Sequence, residues 1–455
     1  MLSSDNLPAA GWFKDPLTRR GIMVAAMTLA MLIPQAMVHG VVDERGALQR
    51  AVVSELSATL GGPQDIVGPV LVIPYTHSTV VEERFGDAQG VMQLRERVTT
   101  REREFLLLPE HLDLALALSG EHRRRGIYRV LATTTAMRAS GRYPTAAVSE
   151  LAADEANTVH WARAFLSIGI SHPRAIAHVD DLQFNGEAAS PAPGTRLQDL
   201  LGGGFHAPVD ATALASNAVS FDLSLEFQGL GPVRFAPLGA ITTTTARSSW
   251  PHPSFLGQAL PREYSTADSG FEARWEIPQL ARSYPQAWYA HLEDPDLHQF
   301  VAGVSLFEPV SVYTRVSRSV KYGLLFVLST FVVLLALELM IGRLLHVAQY
   351  ALVGVSLTMF FLVLLSLAET IGFAFAYLLA STTTVAMTAA YAGAALGSTR
   401  VGGALGVLLA IAYALLYGLL QLEDLALLMG TVVLLVALGL LMMLTRGLSR
   451  EWGAD

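Results

Sequence analysis

The sequence predicts an α+β membrane protein with six transmembrane helices, one N-terminal and five C-terminal. A large, mainly antiparallel β extracytoplasmic domain is inserted between the first and second. Of 455 residues, 52% are hydrophobic and only 15% are charged, against about 25% charged in soluble proteins. The apolar runs lie near the two ends of the chain, and alternating apolar and polar residues occupy the middle. The net charge of −8 argues against nucleic-acid binding. The lack of cysteine excludes disulfides and thiolate chemistry.

The first helix is predicted from residues 21–38, which carry no charge and approach the lower length limit of a membrane span. Lys14, Arg19 and Arg20 precede this run, and no A-x-A-like cleavage site follows it. These features indicate an uncleaved signal anchor at 21–39, after a cytoplasmic tail at 1–20.

The middle region, 40–320, is predicted to be a β-rich periplasmic domain with two layers. It opens with a helix, because Leu48, Val52, Leu56 and Leu60 recur every fourth residue and Gly61-Gly62-Pro63 then ends it. Period-2 alternation predicts strands at 112–118 and 221–228. Further strands are expected at 69–75, 103–108, 127–138, 163–170, 233–237, 273–277 and 301–307, and a surface loop at 187–195.

Five apolar runs predict the C-terminal helices of a 321–446 transmembrane domain, followed by a cytoplasmic tail at 447–455. The runs are 322–341, 347–367, 370–395, 401–420 and 425–444. Arg343, Arg400, Arg446 and Arg450 all fall on the side of the basic N-terminus, whereas the turns near Glu369 and at 421–424 lack Lys and Arg. The positive-inside rule therefore places both termini in the cytoplasm.

Polar residues of this block are candidates for a transport or lipid-handling pathway, since ionisable groups inside a membrane are often functional. Glu338 lies within the second span, where Arg343 is expected to neutralise it. Glu369, Glu423 and Asp424 occupy predicted turns, where charges cost little. Thr382, Thr383 and Thr384 are typical of helix contacts.

The middle region lacks the familiar catalytic signatures. Its best enzymatic candidate is the segment SWPHPSF, in which His252 and Ser254 would act as base and nucleophile with Asp222 as the acidic partner. The alternative is a loop that two prolines make rigid. His172, His206 and His252 are possible zinc ligands but lack ligand spacing. No metal or cofactor is expected.

The segment GGPQDIVGPVLVIPY (61–75) raises a further question, because glycine-rich turns can bind phosphates. Phosphate binding uses a loop that precedes a helix, whereas here a helix ends and a strand follows. Gln64 and Asp65 are its only candidate contact groups.

Ordered motifs along the chain resemble the CreD family of bacterial inner-membrane proteins. They are LIP (32–34), ER (44–45), the 61–75 segment, RGIY (125–128), GIS with PR (169–174), WPHPSF (250–255), LFEPV (306–310), VKYGLLF (320–326) and QLED (421–424). The family's H-P-x-Q-Y is here His346-Val347-Ala348-Gln349-Tyr350, which lacks the proline.

The resemblance implies a multi-pass protein of the bacterial inner membrane that supports envelope integrity and tolerance to antibiotics or colicins. It implies no catalytic residues, and a non-enzymatic role is expected. Expected partners are the lipid bilayer and periplasmic envelope proteins or cell-wall components. A transporter or lipid-handling protein is the alternative, and a periplasmic hydrolase is the second alternative.

Overall fold

Two compact units make up the chain in the computed structural model, which describes residues 16–86, 92–290, 292, 295–307 and 312–421, with single positions 431, 435 and 439. One unit comprises Met1–Arg50 and Val310–Asp455, and the other comprises Ala51–Pro309. The first is helical and the second is mainly β. The predicted α+β class with an inserted β domain is therefore confirmed.

Five described segments are long and apolar enough to cross a membrane: Thr18–Leu60, Gly323–Ile341, Val347–Ile371, Phe373–Leu396 and Thr399–Gln421. The sixth predicted span, 425–444, lies outside the described residues except for three single positions, and the tail at 447–455 lies wholly outside them. The helices are α1 Pro16–Ala30, α2 Leu32–Leu60, α3 Ser149–Ala153, α4 Gln198–Leu201, α5 Val312–Lys321, α6 Gly323–Ile341, α7 Val347–Ile371, α8 Phe373–Leu396 and α9 Thr399–Gln421.

The anchor and the helix that follows it form one nearly continuous element, interrupted only at Met31. Pro34 explains the interruption, because proline has no N–H and its ring crowds the carbonyl four residues earlier, here that of Ala30. The predicted stop after Leu60 is confirmed. Gly61 adopts φ +95° there, and its N–H donates to the Ser57 carbonyl at 3.0 Å.

The β unit contains two sheets. Ten strands form the first, in the order β14-β18-β12-β1-β6-β10-β9, with β2, β5 and β17 attached through β1 and β2; eight form the second, in the order β15-β16-β13-β3-β4-β11-β7-β8. The strands are β1 Gln64–Gly86, β2 Met92–Leu107, β3 His111–Arg125, β4 Tyr128–Tyr143, β5 Asn157–Val159, β6 Phe165–Ile170, β7 Ile176–Phe184, β8 Glu187–Ala188, β9 Ala192–Pro193, β10 Gly204–Pro208, β11 Val219–Gly229, β12 Val233–Phe235, β13 Ile241–Ser248, β14 Pro253–Gly257, β15 Glu263–Ala267, β16 Gly270–Pro278, β17 Ala287–Tyr289 and β18 Ala302–Leu306.

One hydrophobic core joins residues of both sheets, so the two layers pack face to face. In β11, Phe221, Leu223 and Leu225 are buried and alternate with half-buried polar residues, as expected for one face on the core. Pairing is antiparallel except between β1 and β12 and between β3 and β13. The expected surface loop at 187–195 is partly wrong, because Thr195 is fully buried and its hydroxyl donates to the Gly202 carbonyl at 2.9 Å.

Small residues allow close packing in the helical unit. A Cβ added at Gly402 of α9 would lie 2.5 Å from the Ala389 carbonyl oxygen and 2.8 Å from the Gly393 Cα of α8. Membrane helices commonly associate through such small-residue contacts.

Candidate functional site

Glu338 is the fully buried carboxylate of the helical unit, with 0% of its side chain exposed. Its Oε1 lies 3.1 Å from Arg20 Nη1 and accepts a hydrogen bond of 3.1 Å from the Leu345 backbone N–H. Its Oε2 accepts a hydrogen bond of 2.7 Å from the Tyr350 hydroxyl. A cation, a hydroxyl and a backbone amide thus surround both oxygens, and the buried charge is compensated.

The fold near the end of α6 brings these groups together. Gly342 ends the helix in the left-handed region, with φ +71°, where glycine carries no steric penalty. The chain then turns back, so that the Leu345 N–H reaches the helix it has just left. Arg20 also donates to the Leu345 carbonyl at 2.9 Å. The Glu338 cluster, defined as Arg20, Glu338, Leu345 and Tyr350, therefore ties α1 to α6 and α7.

Arg343, the expected partner of Glu338, has a different role. Its Nη1 donates to the Leu396 carbonyl at 3.4 Å, at the C-terminal end of α8. A Cβ at Gly397 would overlap this guanidinium, so the glycine makes room for it. A cation at this position is favourable, since the C-terminus of a helix carries partial negative charge. The ion-pair partner of Glu338 is Arg20.

The predicted turn residue Glu369 lies instead in the last turn of α7, where its carboxylate accepts a hydrogen bond of 2.9 Å from the Tyr313 hydroxyl. Glu423 and Asp424 lie outside the described residues. Thr382 and Thr383 donate to carbonyls four residues earlier in their own helix.

Helix α7 begins at the motif that departs from the family pattern. His346 is the N-cap, and its Nδ1 accepts from the Ala348 N–H at 3.2 Å, while Gln349 Oε1 accepts from the His346 N–H at 2.8 Å. This reciprocal capping fixes the start of the helix. It also explains why the sequence tolerates Val347 at the first helical position, where proline is common.

Gln64 is fully buried at the junction between α2 and β1. Its Nε2 donates to the Gln228 carbonyl at 3.1 Å, and its Oε1 accepts from the His172 N–H at 3.3 Å. Its own N–H donates to the Pro232 carbonyl at 2.9 Å. The side chain therefore joins three segments of the β unit, and its polar atoms are occupied by the protein itself.

Asp65 forms a two-pronged ion pair with Arg234 of β12, at 2.5 Å from Nε to Oδ1 and 2.7 Å from Nη2 to Oδ2. Such fork-like pairing is strong and directional. It reinforces the parallel contact of β1 with β12, where Asp65 lies opposite Arg234. Ser171 of the GIS motif adds a hydrogen bond of 3.1 Å from the Asp65 N–H.

The WPHPSF segment is integrated into the first sheet. Trp250 Nε1 donates to the Phe307 carbonyl at 2.8 Å, and the Phe307 N–H donates to the His252 carbonyl at 2.8 Å. Ser254 lies in β14, opposite Ser305. Among the described residues, no hydrogen bond joins His252 to Ser254. Asp222 belongs to the second sheet and is held by Arg138 at 3.2 and 3.0 Å.

The histidines considered as zinc ligands have separate partners. His206 Nδ1 lies 2.6 Å from the Gly194 carbonyl oxygen, and His172 Nδ1 lies 3.2 Å from that of Pro63. The described part of the chain contains no group of three or more His, Asp or Glu that could hold a metal ion.

Several titratable groups in the β unit have shifted pKa values, Tyr284 and Glu104 among them. Burial raises the pKa of Tyr284 to about 12, an effect that the guanidinium of Arg282 over its ring partly opposes. The hydroxyl donates to the Pro237 carbonyl at 3.3 Å. Burial also raises the pKa of Glu104, while Arg196 lowers it.

Sequence reasoning missed Arg20, Gln35 and Tyr350 as interior polar groups. The charge pattern of the sequence places Arg20 on the cytoplasmic flank of the anchor. Gln35 is 9% exposed, and its Nε2 donates to the Val320 carbonyl at 2.5 Å. A side chain at Gly323 of the VKYGLLF motif would overlap Gln35. A polar amide within an otherwise apolar span was the available signal for Gln35.

Comparison with known proteins agrees with the architecture described above. A family model described as Inner membrane protein CreD matches residues 16–452. Inner membrane protein CreD of Escherichia coli (strain K12) is 31% identical over 444 residues, covering 97% of this chain and 95% of that protein.

Two solved structures of an M1 zinc metallopeptidase from Deinococcus radiodurans show only a slight likeness. The enzyme has a TM-score of 0.21 and 11% identity, covering 37% of this chain and 38% of that chain. A single-residue mutant has a TM-score of 0.22 and 8% identity, covering 44% and 42%. Such scores do not define a shared fold. The match along almost the whole length is to inner-membrane proteins, and the chain belongs to the CreD family.

Proposed function

We propose that this protein supports the integrity of the cell envelope and its tolerance to envelope stress without catalysing a reaction. The observation that carries the proposal is the relationship to CreD over 97% of the chain. In the β unit, the described motif residues make internal contacts: Gln64 joins three segments, Asp65 pairs with Arg234 and Trp250 holds Phe307. This use of the motifs supports a scaffold that presents a surface to envelope components.

The proposed orientation places the β unit in the periplasm and both termini in the cytoplasm. Arg20 and Arg343 support it, because they contact the α6–α7 and α8–α9 connections and so lie at one end of the helical unit. That arrangement agrees with the positive-inside rule.

Single cysteines test the orientation cleanly, because the chain has none of its own. Ser265→Cys is exposed on β15, and Thr399→Cys is exposed at the start of α9. A membrane-impermeant thiol reagent should label the first in intact spheroplasts and the second only after lysis. The opposite labelling pattern would reverse the proposed topology.

Complementation tests the physiological role. An Escherichia coli strain that lacks its CreD would carry this protein or an empty vector and be exposed to detergents, colicins and cell-wall antibiotics. The protein should restore tolerance. Unchanged sensitivity of the deleted strain to all three treatments would contradict the proposal. If the protein restores tolerance, crosslinking from the β unit in cells would identify its envelope partners.

The transport or lipid-handling alternative depends on Glu338, since this carboxylate is fully buried in the helical unit. The closed set of partners around it supports a structural role. Glu338→Gln at normal protein level should therefore retain complementation, whereas a complete loss would favour transport. Ser254→Ala addresses the hydrolase alternative in the same strain, and full complementation would eliminate this nucleophile.

A further inference from the structure

Helix α5, Val312–Lys321, carries both buried valines and basic residues and packs against one end of the membrane helices. Val316 and Val320 are buried in a cluster with Val38 and Val42 of α2 and with aromatic residues of α7, α8 and α9. Ser319 is also fully buried. Thr314 and Lys321 are the exposed residues of the helix.

The position of α5 follows from two contacts. Tyr313 donates to Glu369 in the last turn of α7, and the guanidinium of Arg315 lies 5.5 Å from the ring centroid of Phe373, the first residue of α8. Because α7 and α8 are candidate membrane spans and the chain turns between them at Gly372, this end of the bundle reaches a bilayer surface. Helix α5 continues into the candidate span α6 with only Tyr322 between them, so it lies near that surface.

Three cations occur on this short helix: Arg315, Arg318 and Lys321. Within the described residues, none of them forms an ion pair. Two carboxylates at this end have other partners, since Glu369 accepts from Tyr313 and Asp43 lies 3.6 Å from His39. The helix itself therefore carries a charge of +3, in a chain of net charge −8.

Arg318 gives the second, independent observation. Its Nη1 is buried and has no hydrogen-bond partner among the residues that the structure describes. A buried donor of a charged group that lacks an acceptor is costly. An acceptor supplied from outside the protein would remove that cost.

We propose that α5 binds the phosphate of an anionic membrane-lipid headgroup, with Arg318 as the principal donor and Arg315 and Lys321 as flanking cations. The phosphate oxygens accept hydrogen bonds from the guanidinium, whose flat fork matches them. Attraction between basic interfacial segments and anionic lipids favours the same ligand. Placement at a bilayer surface selects a lipid over a soluble phosphate.

The test uses the full-length protein, purified in mild detergent and titrated with phosphatidylglycerol or phosphatidylcholine. Native mass spectrometry counts the retained lipids, and a thermal melt measures the stabilisation that each lipid provides. The variants are Arg318→Gln and Lys321→Gln. Arg101→Gln is the matched control, because it removes the same charge from an exposed position on β2.

We expect the intact protein and Arg101→Gln to retain phosphatidylglycerol over phosphatidylcholine. Arg318→Gln should weaken that retention about fivefold, the effect of roughly one interfacial cation. Each variant is compared with its own phosphatidylcholine baseline, so a change in fold stability does not mask the result. Exposed Lys321→Gln provides the same comparison with little risk to folding.

Two outcomes would overturn the proposal. Equal retention of both lipids by the intact protein, or an unchanged preference in Arg318→Gln and Lys321→Gln, would show that α5 does not select anionic headgroups. Displacement of phosphatidylglycerol by low concentrations of inorganic phosphate would show that the site takes a soluble anion instead.

Discussion

Replacing Arg20 should destabilise the helical unit more than replacing its partner Glu338. Arg20→Met leaves a carboxylate with 0% exposure and no counter-ion, although Tyr350 and the Leu345 N–H still donate to it. Breaking a buried pair in this way costs about 3–5 kcal/mol. Because the Arg20 side chain is 23% exposed and two donors remain, we expect about 3 kcal/mol.

Glu338→Gln leaves a milder defect. The amide oxygen still accepts from Leu345, and the amide NH2 can donate to the Tyr350 hydroxyl. Arg20 remains partly exposed and bound to the Leu345 carbonyl. The expected cost is therefore about 1 kcal/mol, the size of one ordinary hydrogen bond.

The assay is equilibrium unfolding in mixed detergent and dodecyl sulfate micelles, followed by far-ultraviolet circular dichroism. The double variant Arg20→Met with Glu338→Gln removes both charges, so its cost should fall below the sum of the single costs by about 2 kcal/mol. A larger cost for Glu338→Gln than for Arg20→Met would refute the assigned pairing. The pairing would also be refuted if the free-energy costs of the two substitutions were additive.

Three further predictions concern packing, the junction and pH. Gly323→Ala should destabilise the protein by about 2 kcal/mol, since the added Cβ would overlap Gln35. Gly403 has open space around it, so Gly403→Ala should be neutral or slightly stabilising in the same unfolding assay. Gln64→Leu should cost about 2 kcal/mol in thermal unfolding, because the buried Gln228 carbonyl and His172 N–H lose their partner; an unchanged melting temperature would contradict this. For Tyr284, the pKa of about 12 in the folded protein exceeds the unfolded value near 10. The contribution of this residue to stability is therefore complete below about pH 10 and is lost as the pH rises towards 12. Tyr284→Phe should reduce the loss of unfolding free energy with rising alkaline pH, and an unaltered pH dependence would contradict the shift.

Local patterns in the sequence were sufficient for the strands and helices that repeat regularly. The alternation in β11 and the Gly61-Gly62-Pro63 stop both reflect short-range chemistry, and both are confirmed. Strand β13 was missed because its sequence, ITTTTARS, places threonine on both faces. Thr242 and Thr244 are fully buried there, so the core face is not distinguishable by hydrophobicity alone.

Local sequence patterns could not predict which residues the charged side chains pair with. Asp65 and Arg234 are 169 positions apart in the chain, and only the parallel pairing of β1 with β12 brings them together. Arg343 was the nearest cation to Glu338 in sequence, yet Arg20 reaches it through helix packing. Proximity along the chain is a poor guide where several helices converge, since any of them can supply the counter-ion.

The polar groups of the helical unit fall into two kinds, and the difference bears on where the protein acts. Around Glu338, every described oxygen contact is internal, which is the arrangement of a rigid structural pair. Near α5, by contrast, Gln35 Oε1 and Arg318 Nη1 are buried, and neither has a hydrogen-bond partner in the described part of the chain. An unsatisfied buried group costs stability, and a bound ligand that supplies its partner would offset that cost. Recognition is therefore expected at the α5 end of the bundle, while Glu338, although the most conspicuous charge in the sequence, holds the helices in place.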